Sequence, residues 1–320
     1  MIFVSPIPGI PGDNTQRCSE KQAEASSAFT EVPRPVLLLG SGGMLGRAWD
    51  ELLVRNGIEH VSLGHGELDV TQCDAVDGVL HKPYQLVVNC AAWTDVDGAE
   101  SNETSAFAVN ADGPQLLAQR CRQLGVMLVH YSTDYVFRGD ATRPYQEQDP
   151  VDPQGVYARS KAEGDQRIQD SGCRHLIVRI SGLYAPWGKN FVCTMGRLLQ
   201  SKNHVRVVND QHLRVTSATE AAAGSVGLVK LGIEGIVNLA GDGECTWYEF
   251  ACQIGRHLGS KCEIEPVRTD QYPVAAPRPA YSVLDLAKAR SLIGVISPWQ
   301  EQLASVLDQR EEQAGSEVGW

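Results

Sequence analysis

Four aliphatic residues, Val36–Leu39, run into glycines at Gly40, Gly43 and Gly46, and a helical pattern, MLGRAWDELLVRNG, follows at once. A short run that is apolar at every position suits a strand buried on both faces, the condition of a parallel sheet. Parallel neighbours need long crossover connections, so this opening commits the chain to helices alternating with strands. Glycines at this GxxGxxG spacing let the backbone turn tightly and lie against a pyrophosphate. The first helical N–H groups and the helix dipole then face the negative charge. Gly40, Gly43, Met44, Leu45 and Gly46 are therefore the candidate dinucleotide cradle.

The rhythm continues down the chain. HVSLG reads as a second strand, and LDVTQCDAVDGVLHKP as a helix opened by a capping Asp and Thr pair. LVVNCAA is another buried strand and ETSAFAVNADGPQLLAQRCRQLG one long helix. VMLVHYSTDYVF is a strand with a polar C-terminal end, YARSKAEGDQRIQDSG a helix and HLIVRISGLY a strand. The expectation is an α/β protein with a Rossmann-type, right-handed, doubly wound parallel sheet. Beyond about Trp187 the pattern changes to helices around VRVVND, GIVNLAG and CEIEPV, then a proline-rich stretch and a last helix. This reads as a smaller C-terminal substrate-binding domain capping the C-terminal edge of the sheet. The expected boundaries are a disordered extension over 1–33, a dinucleotide-binding domain over 34–186 with contributions from 205–240, a cap over 187–310 and a flexible tail over 311–320.

A formal net charge of −11 argues against nucleic acid or an anionic membrane as the main partner, since both reward clustered Lys and Arg. No apolar stretch approaches the roughly 20 residues needed to cross a bilayer. The nine cysteines are odd in number, scattered, and form no CxxC pair, which reads as reduced thiols in the cytoplasm. MIFVSPIPGI lacks a basic start and carries two prolines, so it is a poor signal peptide.

The chemistry is concentrated in VYARSKAEG, where Tyr157 and Lys161 stand four residues apart and share one helix face. Such pairs recur by chance on exposed helices; the STDYVF strand upstream, ending in Thr133, gives this one its meaning. A free phenol, with a pKa of about 10, is a poor catalyst at neutral pH. A nearby ammonium is expected to stabilise the phenolate and draw the phenol toward the working range. Thr133 can hydrogen-bond a substrate oxygen and help hold a developing alkoxide. Phenol, ammonium and hydroxyl beside a pyrophosphate turn imply hydride transfer between a nicotinamide and a carbonyl.

Sites that prefer NAD usually place an acid at the end of the second strand for the ribose hydroxyls. Here Gly64 and His65 stand there, nothing repels a 2′-phosphate, and His65 can meet one. Asp69, slightly later, is placed for the adenine side. The cofactor expected is NADPH, with NADH as an alternative.

From Val36 to about Leu307 the chain resembles the extended short-chain dehydrogenase/reductases, and among them the dTDP-4-dehydrorhamnose reductase family. The matching stretches are GSGGMLG, NCAAWTDVDGAE, YSTDYVF, YARSKAEGD, GKNFVCTM, VVNDQ, TWYEFA and RPAYSVLDLAKAR, the last three being the most specific. The resemblance implies reduction of the C4 ketone of dTDP-4-dehydro-L-rhamnose, with Tyr157 as proton donor, Lys161 as its electrostatic partner and Thr133 positioning the oxygen. It implies Ala91, Ala92 and Thr94 along the nicotinamide cleft, and Asp134, Tyr135, Gly182, Asn190, Arg214 and Arg278 toward the nucleotide-sugar. Two departures touch the substrate wall. Gly182 replaces a usual tryptophan, and Leu213-Arg214-Val215 replaces a usual glycine and Pro-Thr pattern, with Thr216 retained. Losing that ring costs on the order of 1 kcal/mol of sugar packing, for which Trp93 or Trp187 could compensate. Some members pair through magnesium; no metal ligands are matched here, Glu249 reads as a solvated acid, and a homodimer is compatible with the sequence. The alternatives are a reductase or epimerase of another nucleotide-4-ketosugar, or a non-catalytic subunit like the regulatory β subunit of methionine adenosyltransferase.

Overall fold

Strand β1 (Val36–Leu39) has no exposed position, and neither do Leu86–Asn89 (β3) and Met127–Thr133 (β4). Their uniform apolarity follows from layers on both faces. The computed structural model describes residues 31–81 and 83–314. With β2 (His60–Leu63), β5 (His175–Ile180) and β6 (Gly235–Asn238), these strands form one six-stranded sheet of order β6-β5-β4-β3-β1-β2. Every pairing in it is parallel. The expected parallel α/β sheet is therefore present, and chain order reverses between β1 and β3, where open sheets of this kind bind ligands.

Alternate residues of each strand feed two cores. One face packs Leu38, Val88, Val129 and Val178 against helix α1 (Met44–Arg55) and against Ala218–Lys230. The other packs Leu37, Leu39, Val87 and Leu128 against Val76, Leu117 and Ile168 of the opposite helices. A third core, around Tyr184, Phe250, Ile254 and Leu307, lies under the C-terminal elements. There Glu263–Val267 pairs in parallel with His204–Val208, so the VRVVND strand joins a separate ladder and not the large sheet.

Several local expectations need correction. The STDYVF strand stops at Thr133, whose Oγ1 accepts the Tyr135 N–H and turns Asp134–Val136 into a 3-10 turn. The Asp69 carboxylate accepts from Thr71 N–H and Thr71 Oγ1, so this pair closes its own turn and the next helix starts later, at Cys73. The helix from Glu103 to Leu124 contains a π segment, Ala108–Asp112. HLIVRISGLY breaks at Gly182, which takes φ +53°, and Leu183–Tyr184 pairs with Thr216–Ser217 instead. Glu249, read as merely solvated, closes a capping box with Thr246. Residues 1–30 of the expected extension lie outside the described residues. Val32, within that stretch, is buried, and the last helix runs to Ala314.

One polar chain crosses the first core. Trp49 Nε1 donates to Tyr131 Oη at 2.6 Å, which donates to Ser225 Oγ at 2.7 Å, and all three residues are buried. Tyr131→Phe leaves the Trp49 N–H unpaired in that core. The expected cost is about 1–3 kcal/mol, read as a fall in thermal midpoint of roughly 2–4 °C per kcal/mol.

Candidate active site

At the point where strand order reverses, the turns after β1 and β3 meet backbone to backbone. A Cβ on Gly40, which takes φ +74°, would lie 2.5 Å from Ala91 N, and one on Gly46 would lie 2.1 Å from Gly40 O. Only glycine allows this approach. Gly43 precedes α1 without a capping side chain, so no side chain at the N-cap claims the first-turn N–H groups of Met44, Leu45 and Gly46. Such a set of donors could hold a phosphate. Trp187 flanks it: its Nε1 donates to Met44 O at 3.2 Å, and the Arg47 guanidinium lies 4.2 Å from its ring centre. His65 is exposed. The end of β2 does carry an acid, however, because Glu67 folds back to accept the Gly64 N–H at 2.8 Å. Asp69 is held below the usual carboxylate range by its bonds to Thr71.

Thr133 ends β4, and Tyr157 and Lys161 lie on α6 (Val156–Ser171), whose first N–H is capped by Glu100 Oε1 at 2.8 Å. The Tyr157 ring meets Tyr135 edge-on, centroids 6.2 Å apart, and packs with Trp93 and Val156. Burial pushes the Tyr157 phenol up to about 12; the Thr133 hydroxyl opposes this, while the Asp134 and Asp165 charges add to it. The expected lowering by an ammonium is therefore reversed here. Lys161 is 2% exposed and its Nζ is tied to Tyr131 O at 2.6 Å and His130 Nε2 at 3.1 Å. Burial brings Lys161 down to about 8, against the pull of Asp165 and Cys90.

Asp134 is not an open sugar contact. It is 2% exposed and accepts hydroxyls from Ser181 (2.7 Å), Ser282 (2.5 Å) and Thr133 (3.1 Å). Burial raises it to about 6, with the three hydroxyls opposing. It braces Thr133. Tyr135 and Arg278 share a small cavity with Gln154 and Pro279, where Arg278 is paired to Asp97 at 2.7 Å. Arg214 is engaged elsewhere, donating to Leu284 O at 2.8 Å and pairing with Asp242 at 3.2 Å. Asn190 caps Phe191–Ser201 and donates to Ala185 O and Trp187 O. Ala91 lies against Gly40, Ala92 is half-buried and Thr94 is exposed. The structure thus gathers Thr133, Tyr135, Tyr157, Lys161 and the glycine turn, and ties Asn190 and Arg214 into the fold. A separate cavity of about 240 Å³, lined by Glu220, Gly224, Leu239, Ile293 and Gln302 among others, holds none of Thr133, Tyr157 and Lys161.

Four residues escaped the sequence reading: His130, Asp165, Glu100 and Asn110. Asn110, in the π segment, accepts the Trp93 N–H at 2.9 Å and donates to Ser160 Oγ at 3.0 Å, holding the β3 turn against α6. Its misfit to regular helix spacing is the reason no pattern singled it out. Among the described residues no group of three or more His, Cys, Asp or Glu could hold a metal, so no magnesium chemistry is assigned. None of the described helices is long and apolar enough to cross a membrane.

Residues 34–312 match the family model described as the RmlD substrate binding domain. The dTDP-4-dehydrorhamnose reductase of Streptomyces griseus is 41% identical over 273 residues, 81% of this chain and 88% of that protein. The chain belongs to the dTDP-4-dehydrorhamnose reductase family. Two solved members superpose with TM-scores of 0.83: that of Clostridium acetobutylicum (34% identical, covering 86% of this chain and 99% of that one) and that of Bacillus anthracis (31%, 86% and 98%), the latter in complex with NADP.

Against this dTDP-4-dehydrorhamnose reductase background, the two departures in the substrate wall are one contact. A Cβ on Gly182 would lie 3.0 Å from Leu213 Cδ1 and 3.1 Å from Val215 Cγ1, and both of those side chains are buried. Leu213 and Val215 occupy the room that a larger residue at 182 would need.

Asp134 gives a pH test. Its folded pKa of about 6 lies above the ordinary 3.8, so the native state binds the extra proton and stability falls as pH rises between those values. Asp134→Asn lacks this loss. Between pH 4 and pH 7 the variant should gain about 2–3 kcal/mol on the wild type, measured by denaturant unfolding at each pH.

Proposed function

We propose that this protein reduces the C4 ketone of dTDP-4-dehydro-L-rhamnose to give dTDP-L-rhamnose, with NADPH as reductant. The observation that carries the reading is the meeting of Thr133, Tyr157 and Lys161 beside the phosphate cradle, in a chain of this family. Gly40, Gly43, Gly46 and the N–H groups of Met44 and Leu45 would hold the dinucleotide, and Ala91, Ala92 and Thr94 its nicotinamide side. The reduced nicotinamide, when bound, supplies the hydride. NADPH is supported by the NADP complex of the Bacillus anthracis relative; Glu67 at the end of β2 makes NADH the comparison to run.

The chain's own part is proton delivery. A phenol near 12 keeps its proton throughout the physiological range and releases it only to a strong base, which the carbonyl oxygen becomes as its carbon is reduced. Thr133 would position that oxygen by turning to it the one hydroxyl proton that Asp134 accepts in this structure. Lys161 carries the positive charge that stabilises the phenolate left behind. Tyr135 and Arg278 stand at the sugar side, with residues 187–310 as the cap. Placement in the cytoplasm and pairing into a homodimer belong to the same proposal, the first supported by unpaired described cysteines.

Two outcomes are expected. Tyr157→Phe should lower kcat for ketosugar-dependent NADPH oxidation by at least about 10²-fold while leaving the unfolding curve in place. Retained turnover would remove Tyr157 from the acid role. In the wild type, activity should fall on the alkaline side with a midpoint near 8, because Lys161 loses its charge as pH rises through its lowered pKa. A rate flat to pH 10 contradicts that assignment. A panel of nucleotide-4-ketosugars, each with NADPH and with NADH, tests the substrate; no turnover of the dTDP-rhamnose precursor would reject it.

A further inference from the structure

Lys161 sits at the end of a hydrogen-bonded chain whose direction is fixed at its other end. The Ala91 backbone N–H can only donate, and it donates to Asn89 Oδ1 at 3.1 Å. That contact sets the side-chain amide, leaving Asn89 Nδ2 to face His130 Nδ1 at 3.1 Å. An amide nitrogen can only donate, so His130 Nδ1 accepts. A neutral imidazole with Nδ1 accepting carries its proton on Nε2, and Nε2 is the atom 3.1 Å from Lys161 Nζ. The ring is neutral because burial, and then the lysine charge, hold it well below the ordinary histidine range.

We infer that His130 presents an N–H, not a lone pair, to Lys161, and that it is a positioning residue that loosens the lysine's proton. An ammonium at Nζ sets donor against donor at that contact, whereas an amine accepts from it. The other groups facing Nζ act differently. Tyr131 O, from the same strand, accepts either form, and Asp165, one turn along α6, favours the ammonium, as does Cys90 after β3. Asp165 is itself shared: Ser132 Oγ donates to it at 2.5 Å and Arg179 of β5 stands 4.0 Å away. His130 is the counterweight that keeps Asp165 from fixing the lysine as a permanent cation.

The kinetic part rests on the functional reading above; the tautomer does not, so the two can fail separately. The first measurement is nitrogen NMR of the full chain labelled with ¹⁵N-histidine. The signal of His130, the one buried histidine among the described residues, is assigned as the one missing from His130→Gln. A proton on Nε2 with a bare Nδ1 is expected. A proton on Nδ1, or a ring that titrates in that range, overturns the inference whether or not any ketosugar is turned over. The second measurement is the pH profile of kcat/KM for His130→Gln, whose amide oxygen can accept from the lysine. Its alkaline limb should move up by about one unit, so at pH 9.5 it keeps about 5–10 times the wild-type share of its neutral-pH rate. An unmoved limb with a uniform loss of rate would make His130 merely structural.

Discussion

No side chain separates the turn after β1 from the turn after β3. Gly40 and Gly46 bring main chain onto main chain at the place where strand order reverses. Everything chemical in the molecule is arranged around that contact. It positions Ala91, whose N–H orients Asn89 and hence His130. One backbone constraint thus shapes both the glycine turn and the surroundings of Lys161.

The fold was legible because its strands are buried on both faces and therefore uniformly apolar, and because glycine and Tyr-Lys spacings report local geometry. What was not legible depends on partners far away in sequence. Arg214 and Arg278 look like free cations for an anionic nucleotide, yet Leu284, Asp242 and Asp97 claim them. Asp134 looks like a polar residue at a strand mouth, and only the arrival of Ser181 and Ser282 shows that it faces inward. Spacing singled out Tyr157 and Lys161 as a pair, but it carried no information about their electrostatics. Spacing along a helix says nothing about burial, and burial dominates both groups.

Two departures from the family pattern, seen separately in sequence, are complementary in space. Leu213 and Val215 close the volume beside Gly182, so neither change stands alone. The paired change fills one buried volume and leaves Thr133, Tyr157 and Lys161 untouched.

The carboxylate of Asp134 gathers hydroxyls from three segments, at Thr133, Ser181 and Ser282. During synthesis on the ribosome, the parallel sheet up to β5 can form well before Ser282 emerges. Until then this acid lacks one of its three donors, and the threonine it braces is not yet locked. A nascent chain halted before Ser282 would carry the Gly40–Gly46 turn while Asp134 still lacked its third donor, so these two parts of the molecule are completed at different stages of synthesis.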